Sequence, residues 1–359
     1  MNIHIFWNNN KWGGKKMEKY YEHVNEILVT YNDKFKQQLM NELREYNIDI
    51  VESTNKIIRY SCKSFVDILN LIKSNEPIFL QYYQPVLSKF DINNQNEMNC
   101  SIKKICDFLS SDISYCVQVI SYDDTLNFKT TQNLKYLIIN EIHNQNLSVS
   151  IGNENTRILV SIIKGIAYIG VLNNDDCISD RIGGILYYSH KNTISRAELK
   201  LEECFSKYNI NNPTQEKHAL DLGASPGGWT HFLSKHNYIV DSVDPAKLDK
   251  RLLSLNSVTH YKMTAQNFLE SKNKNKSYEL IVDDMKLSVH DTVNIILDLL
   301  PCLKSGGNLI LTLKLDNKGI TKQIIFAKTK LEIYFEKIHI KHLYYNRHEV
   351  TLYAENFMK

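Results

Sequence analysis

No stretch of the 359-residue chain approaches 18 consecutive apolar residues, so no segment reads as a membrane-spanning helix. No C-x-x-C pair occurs among the seven cysteines (Cys62, Cys100, Cys106, Cys116, Cys177, Cys204 and Cys302). Their odd number and spacing suit neither a disulfide framework nor a zinc site, which leaves buried, reduced thiols of a cytosolic protein. The histidines show no metal-ligand spacing either, and no metal is expected. Internal repeats and long low-complexity tracts are missing. So is a strong excess of one charge: 43 Lys and Arg stand against 40 Asp and Glu, a formal charge of +3. That mild basicity permits a nucleic-acid partner without demanding one. The opening "MNIHIFWNNNKWGGKKMEKY" lacks the apolar centre of a signal peptide. Met17 also reads as a start, so residues 1–16 are taken as an upstream extension with no structure assigned. A cytoplasmic location is the expectation.

With 43% apolar and 23% charged residues, the composition is that of a globular protein, and the length suggests two or three domains. Residues 17–95 read as a small ferredoxin-like α+β unit. "EILVTY" (26–31), "KIIRYSC" (56–62) and "IFLQYYQPV" (78–86) are its strand candidates, with helical spacing at 33–46 and 64–74. The polar "DINNQNEMN", within 87–110, reads as a connection. A second unit, 96–178, has a strand at 113–124, a helix at 130–146, and two strands over 156–173 that turn at Gly165. Residues 179–194 form a Gly- and Ser-containing linker. From 195 to 359 strand and helix alternate, with strands at 218–222, 238–243, 278–283 and 308–314 and a late pair near 336–343 and 349–354. That order predicts an open α/β sheet, mostly parallel, with an antiparallel edge.

In such a sheet ligands bind at the carboxyl ends of the strands. The segment "HALDLGASPGGWTHFL" (218–233) passes from strand through a glycine loop into helix. A dinucleotide site would read G-x-G-x-x-G, whereas this loop reads Gly223-Ala224-Ser225-Pro226-Gly227-Gly228. Pro226 removes an amide donor, which suits a ligand without pyrophosphate. Gly227 and Gly228 are expected to let the backbone approach that ligand. Asp244, closing "YIVDSVD" about twenty residues on, can accept the ribose hydroxyls of an adenosine cofactor. Asp241 is its rival.

"DLGASPGGW" resembles the S-adenosylmethionine loop of the FtsJ (RrmJ) type ribose 2′-O-methyltransferases, which carry a Lys-Asp-Lys-Glu tetrad. Matches stand in order: Lys200 in "SRAELKLEE", Asp284 in "LIVDDM", Lys314 in "LILTLKL" and Glu349 in "NRHEVTLY". Asp283 competes with Asp284, and the resemblance aligns the acid immediately before Met. It implies a Rossmann-like class I methyltransferase sheet that binds S-adenosyl-L-methionine through Ser195, Asp221, Gly223, Ser225, Pro226, Gly227, Gly228, Trp229, Asp244, Thr264 and Asp284. The tetrad is expected to be catalytic. A ribose hydroxyl is a poor nucleophile until a base removes its proton, and a lysine serves only if its pKa falls. Lys314 is the expected base, with Lys200 lowering its pKa, Asp284 orienting it and Glu349 fixing Lys200 or the substrate ribose.

A ferredoxin-like unit, a THUMP-like RNA-binding unit and an FtsJ-type domain together are similar to bacterial enzymes methylating a cytidine of large-subunit ribosomal RNA. That layout implies an RNA partner and no membrane; it leaves the oligomeric state open. One departure is "YKMTAQNF", where Thr264 replaces the family's usual adenine-side acid. Residues 310–359 hold nine Lys or Arg against five Asp or Glu, with Tyr344 and Tyr345 among them; basic groups beside aromatics suit splayed RNA. The alternatives are an RNA-binding or ribosome-assembly protein with a vestigial site, and the same chemistry on transfer RNA or a messenger-RNA cap.

Overall fold

Runs of β-branched and aromatic residues form three sheets, and the amphipathic stretches between them form helices packed on those sheets. The computed structural model describes residues 14–358 apart from 125, 151–155, 180–181, 183–191 and 272–275. Two compact units result, residues 1–185 and 186–359. The expected linker, residues 179–194, lies mostly outside the described residues, as do 1–13 of the expected extension.

The first unit opens with helix α1 (Gly14–Glu22), to which the sequence reading gave no element. β1 (Glu26–Thr30), α2 (Lys36–Glu42), β2 (Ile48–Ser53), β3 (Ile57–Cys62), α3 (Phe65–Asn75) and β4 (Tyr82–Val86) follow. The four strands form an antiparallel sheet in the order β2-β3-β1-β4. β2 escaped the sequence reading because it is an edge strand whose residues are mostly exposed, so it shows no apolar alternation. The second sheet, in the order β5-β9-β8-β6-β7, contains β5 (Ser88–Asp91), β6 (Ser114–Ser121), β7 (Ser148–Val149), β8 (Thr156–Ile163) and β9 (Ile166–Asn173). α4 (Gln95–Cys106) and α5 (Phe128–Asn144) belong with it. α4 begins inside the stretch read as a connection. Asn94 caps it by accepting from Glu97 N, and the Asn94 amide donates back to the Glu97 carboxylate. Gln84, fully buried, joins the two sheets: its amide donates to the carbonyls of Leu159 and Tyr168 and its oxygen accepts from Ser161.

The second unit alternates α6 (Ala197–Lys207), β10 (Lys217–Leu222), α7 (Gly228–Lys235), β11 (Tyr238–Val243), the short α8 (Lys250–Leu253), β12 (Val258–Tyr261), α9 (Ala265–Glu270), β13 (Tyr278–Asp283), α10 (Val289–Leu299), β14 (Leu303–Lys314), α11 (Ile320–Leu331), β15 (Phe335–Lys341) and β16 (Glu349–Phe357). The sheet order is β12-β11-β10-β13-β14-β16-β15, parallel from β12 to β14. β16 is the antiparallel strand, one place in from the edge, between β14 and β15. Leu201, Cys204 and Phe205 of α6 and Trp229, Phe232 and Leu233 of α7 bury against Ala219, Val240, Leu280, Val282 and Ile310 of the sheet. Each such side chain contributes about 1.5–3 kcal/mol, so both helices are firmly seated. Among the described residues no helix is long and apolar enough to cross a membrane.

Candidate functional site

At the carboxyl end of β10 the chain makes the tight turn its glycines require. Gly223 has φ of +71°, and a Cβ there would lie 2.8 Å from Met285 N; only glycine fits. Gly227 and Gly228 sit close against neighbouring side chains. A Cβ on Gly227 would meet Leu252 Cδ1 at 2.1 Å, and one on Gly228 would meet Ser195 Oγ at 2.3 Å. Their bareness accommodates the protein's own packing. The Trp229 ring is buried in the helix–sheet core, and its indole N–H donates to Ala197 O at 2.7 Å. Ser195 Oγ is buried without a partner among the described residues, beside Gly228 and not in the cleft lining.

Asp221 is 1% exposed and accepts from Thr230 Oγ1 at 2.6 Å, joining β10 to α7. Burial pushes its carboxyl up to about 7. It too is absent from the cleft lining. The cleft, about 440 Å³, is lined by Gly223, Ser225, Asp244, Thr264, Asp284 and Met285 among others. Asp244 is aimed by two backbone donors, Ser225 N at 3.1 Å and Ala246 N at 2.7 Å. Its rival Asp241 is engaged within the sheet, by Lys276 Nζ at 2.8 Å and the Tyr278 hydroxyl at 2.7 Å. Ser225 Oγ donates to Lys247 O, and Pro226, after a cis peptide bond, accepts from Asp249 N through its carbonyl. Thr264 lines the cleft while capping α9, its hydroxyl accepting from Asn267 N.

The four tetrad residues meet beside this cleft. Lys200 comes from α6, Asp284 follows β13, Lys314 ends β14 and Glu349 begins β16. The last two are direct partners in the antiparallel register. Lys200 Nζ lies 3.3 Å from both Asp284 carboxylate oxygens and 2.8 Å from Glu349 Oε1. Lys314 Nζ donates to Asp284 Oδ1. Burial works against charge on Lys200, but Asp284 and Glu349 outweigh it and its pKa is raised. Burial likewise works against Glu349 ionisation, yet Lys200 and then Lys314 hold it at about 2. Two lysines and two carboxylates therefore meet in one cluster. Lys200 is paired with both carboxylates. Asp283 is fully buried, accepts from Met285 N at 3.0 Å, and is pushed by burial up to about 7. It is Asp284 that bridges the lysines.

Sequence reasoning missed Glu203, one turn beyond Lys200 on α6. It accepts the amides of Tyr344 and Tyr345, just ahead of Glu349. An acid within the apolar rhythm of "LKLEECF" was the available signal. Met285, whose backbone shapes the turn at Gly223, was read only as a marker for Asp284.

Residues 193–341 match the family model described as FtsJ-like methyltransferase. The ribosomal RNA large subunit methyltransferase M of Serratia proteamaculans is 32% identical over 169 residues, covering 45% of this chain and 46% of that protein. Its namesake from Dickeya chrysanthemi is 34% identical over 171 residues, with the same coverage of 45% and 46%. The chain thus spans about half the length of the curated relatives it matches. A solved structure of Aeropyrum pernix fibrillarin with natively bound S-adenosyl-L-methionine is 14% identical, with a TM-score of 0.35 over 54% of this chain and 81% of that one. Over residues 193–341 this chain is similar to the FtsJ-like methyltransferases.

Proposed function

We propose that the protein transfers a methyl group from S-adenosyl-L-methionine to a ribose 2′-hydroxyl of RNA, a cytidine of large-subunit ribosomal RNA, in the cytoplasm. The observation that carries this reading is the meeting of Lys200, Asp284, Lys314 and Glu349 at the mouth of the Asp244 cleft. The cleft residues suit the donor: Asp244 accepts ribose hydroxyls, Gly223 keeps the turn narrow, and Thr264 and Gln266 offer polar groups where a nucleobase would lie. When bound there, the donor supplies an electrophilic methyl group.

The chain's own side chains supply the rest. Lys314 Nζ, in its unprotonated form, takes the proton of the attacking hydroxyl, and Asp284 holds that nitrogen in place. Lys200, kept charged by its two carboxylates, stabilises the negative charge developing on the acceptor oxygen. Glu349 holds Lys200 and offers an acceptor for a ribose hydroxyl. Positioning contributes much of the rate in such a transfer. The order βαββαβ of residues 26–86 and the sheet order β2-β3-β1-β4 support the ferredoxin-like reading of residues 17–95. Residues 96–178 are taken as the THUMP-like module that presents the RNA.

The test is to map 2′-O-methyl positions in ribosomal RNA from cells with and without the protein, and to titrate S-adenosyl-L-methionine into the purified chain by calorimetry. One position lost without the protein, together with saturable donor binding, is expected. An unchanged methylation map, or no donor binding, contradicts the proposal.

A further inference from the structure

Glu203 is 8% exposed, and its two carboxylate oxygens accept from Tyr344 N at 2.8 Å and Tyr345 N at 3.0 Å. Burial pushes its carboxyl up to about 7, against the pull of those amides and of Lys207. An acid is an expensive group to bury where a leucine would fill the same space, and here it fixes a loop. Residues 343–348 are anchored again from within, because Asn346 Oδ1 accepts from Leu343 N at 2.7 Å and from Thr351 Oγ1 at 3.2 Å. Leu343 and Asn346 are 2% and 3% exposed, whereas Tyr344 is 38% exposed and Arg347 is exposed. The Tyr345 ring meets that of Tyr344 edge-to-face at 5.3 Å, which steadies it.

The loop's position gives this presentation a purpose. It runs directly into Glu349, and β16 is antiparallel to β14, so its start shares a rim with the ends of β13 and β14. Exposed Lys286 and Lys318 stand on the loops of that same rim. Helix α6 reaches this strand start twice, through Lys200 to Glu349 and through Glu203 to the loop.

We propose that loop 343–348 recognises the acceptor nucleoside, with its base stacked on Tyr344 and a neighbouring phosphate paired with Arg347. Glu203 is the positioning residue that keeps this loop in register with the tetrad. The proposal rests on the RNA methyltransferase reading and adds to it where the acceptor docks. Stacking on a half-exposed tyrosine and charge on arginine are the pairing by which single-stranded RNA is held.

The test uses the full chain, a fluorescein-labelled transcript of large-subunit ribosomal RNA followed by anisotropy, and methyl-transfer kinetics. Tyr344→Ala is expected to weaken RNA affinity roughly ten-fold, as loss of a base–aromatic stack does, with donor affinity unchanged. Glu203→Gln turns a carboxamide N–H donor toward one of the two backbone N–H groups, and is expected to raise KM for RNA several-fold while kcat at saturating RNA stays within about two-fold. Unchanged RNA affinity in Tyr344→Ala overturns the loop's role, whether or not the Glu203 variant folds. A fall in kcat at constant KM in Glu203→Gln overturns the positioning role, because Glu203 then acts on Lys200 alone. Failure of the wild-type chain to bind S-adenosyl-L-methionine sinks the methyltransferase reading instead, and a ten-fold loss of RNA affinity in Tyr344→Ala would still support the loop as a nucleoside site.

Discussion

The donor cleft and the tetrad open at the same end of one sheet, yet they are held in different ways. The cleft is backbone work: Asp244 is aimed by two amides, and the turn at Gly223 is pressed against Met285 main chain. The tetrad is made of side chains from four separate elements, whose charges hold one another. A group aimed by main chain can be altered without moving its neighbours. Removing one member of such a charge cluster leaves another uncompensated. Changes in the cleft are therefore expected to be graded and confined to donor affinity, and changes in the tetrad large and centred on turnover.

The largest expected effect is in Lys314→Ala, which removes the proposed base. Single-turnover transfer is expected to fall by about 10³-fold, within the range for general-base loss, with donor Kd within about two-fold of wild type. Glu349→Gln comes next. It leaves Lys200 with Asp284 alone, and kcat is expected to fall by roughly 10²-fold, as for loss of a transition-state electrostatic partner; a rise in KM alone would place Glu349 in RNA binding instead. Asp244→Ala is expected to weaken donor binding by about 30-fold, the scale of a charged hydrogen bond, with kcat at saturating donor nearly unchanged. A large kcat loss there would dissolve the contrast between the two regions.

A smaller effect appears in stability against pH, where two buried acids behind the site and Glu349 of the tetrad have opposite signs. Burial pushes Asp221 and Asp283 up to about 7, so the native state holds protons that the unfolded chain releases near pH 4. The stability from these raised acids is fully present below about pH 4 and lost as pH rises through about 7. Glu349, held at about 2, contributes above its unfolded pKa of about 4.5 and loses that contribution as pH falls toward 2. Urea midpoints between about pH 4.5 and 7 are expected to decline as pH rises, less so in Asp283→Asn. An unchanged slope in that variant contradicts the buried-acid account. Smallest is Thr264→Asp. Aspartate caps a helix as well as threonine does, so stability is expected to hold while donor affinity improves a few-fold.

The same contrast explains what was legible in the sequence. Asp244 and Gly223 could be placed because local chain geometry dictates them: a strand end, and a turn that admits no side chain. The four tetrad positions were found through family resemblance, since no local pattern says that Lys200 and Glu349 will meet. Gly227, Gly228 and Trp229 are expected at the ligand from a motif, which names residues without saying how they pack. Leu252, Ser195 and Ala197 turned out to be their neighbours. Glu203 shows in the sequence only as an acid interrupting an apolar rhythm, since its partners are backbone amides that no pattern names. β2 and α4 were missed where exposure and polarity hide the period that reveals a strand or a helix.

The most direct test of the account is single-turnover methyl transfer by Lys314→Ala at saturating S-adenosyl-L-methionine, with donor affinity measured on the same sample. The account predicts near-normal donor binding with transfer reduced by about 10³-fold. Transfer at the wild-type rate, with the donor bound as tightly as before, would contradict it.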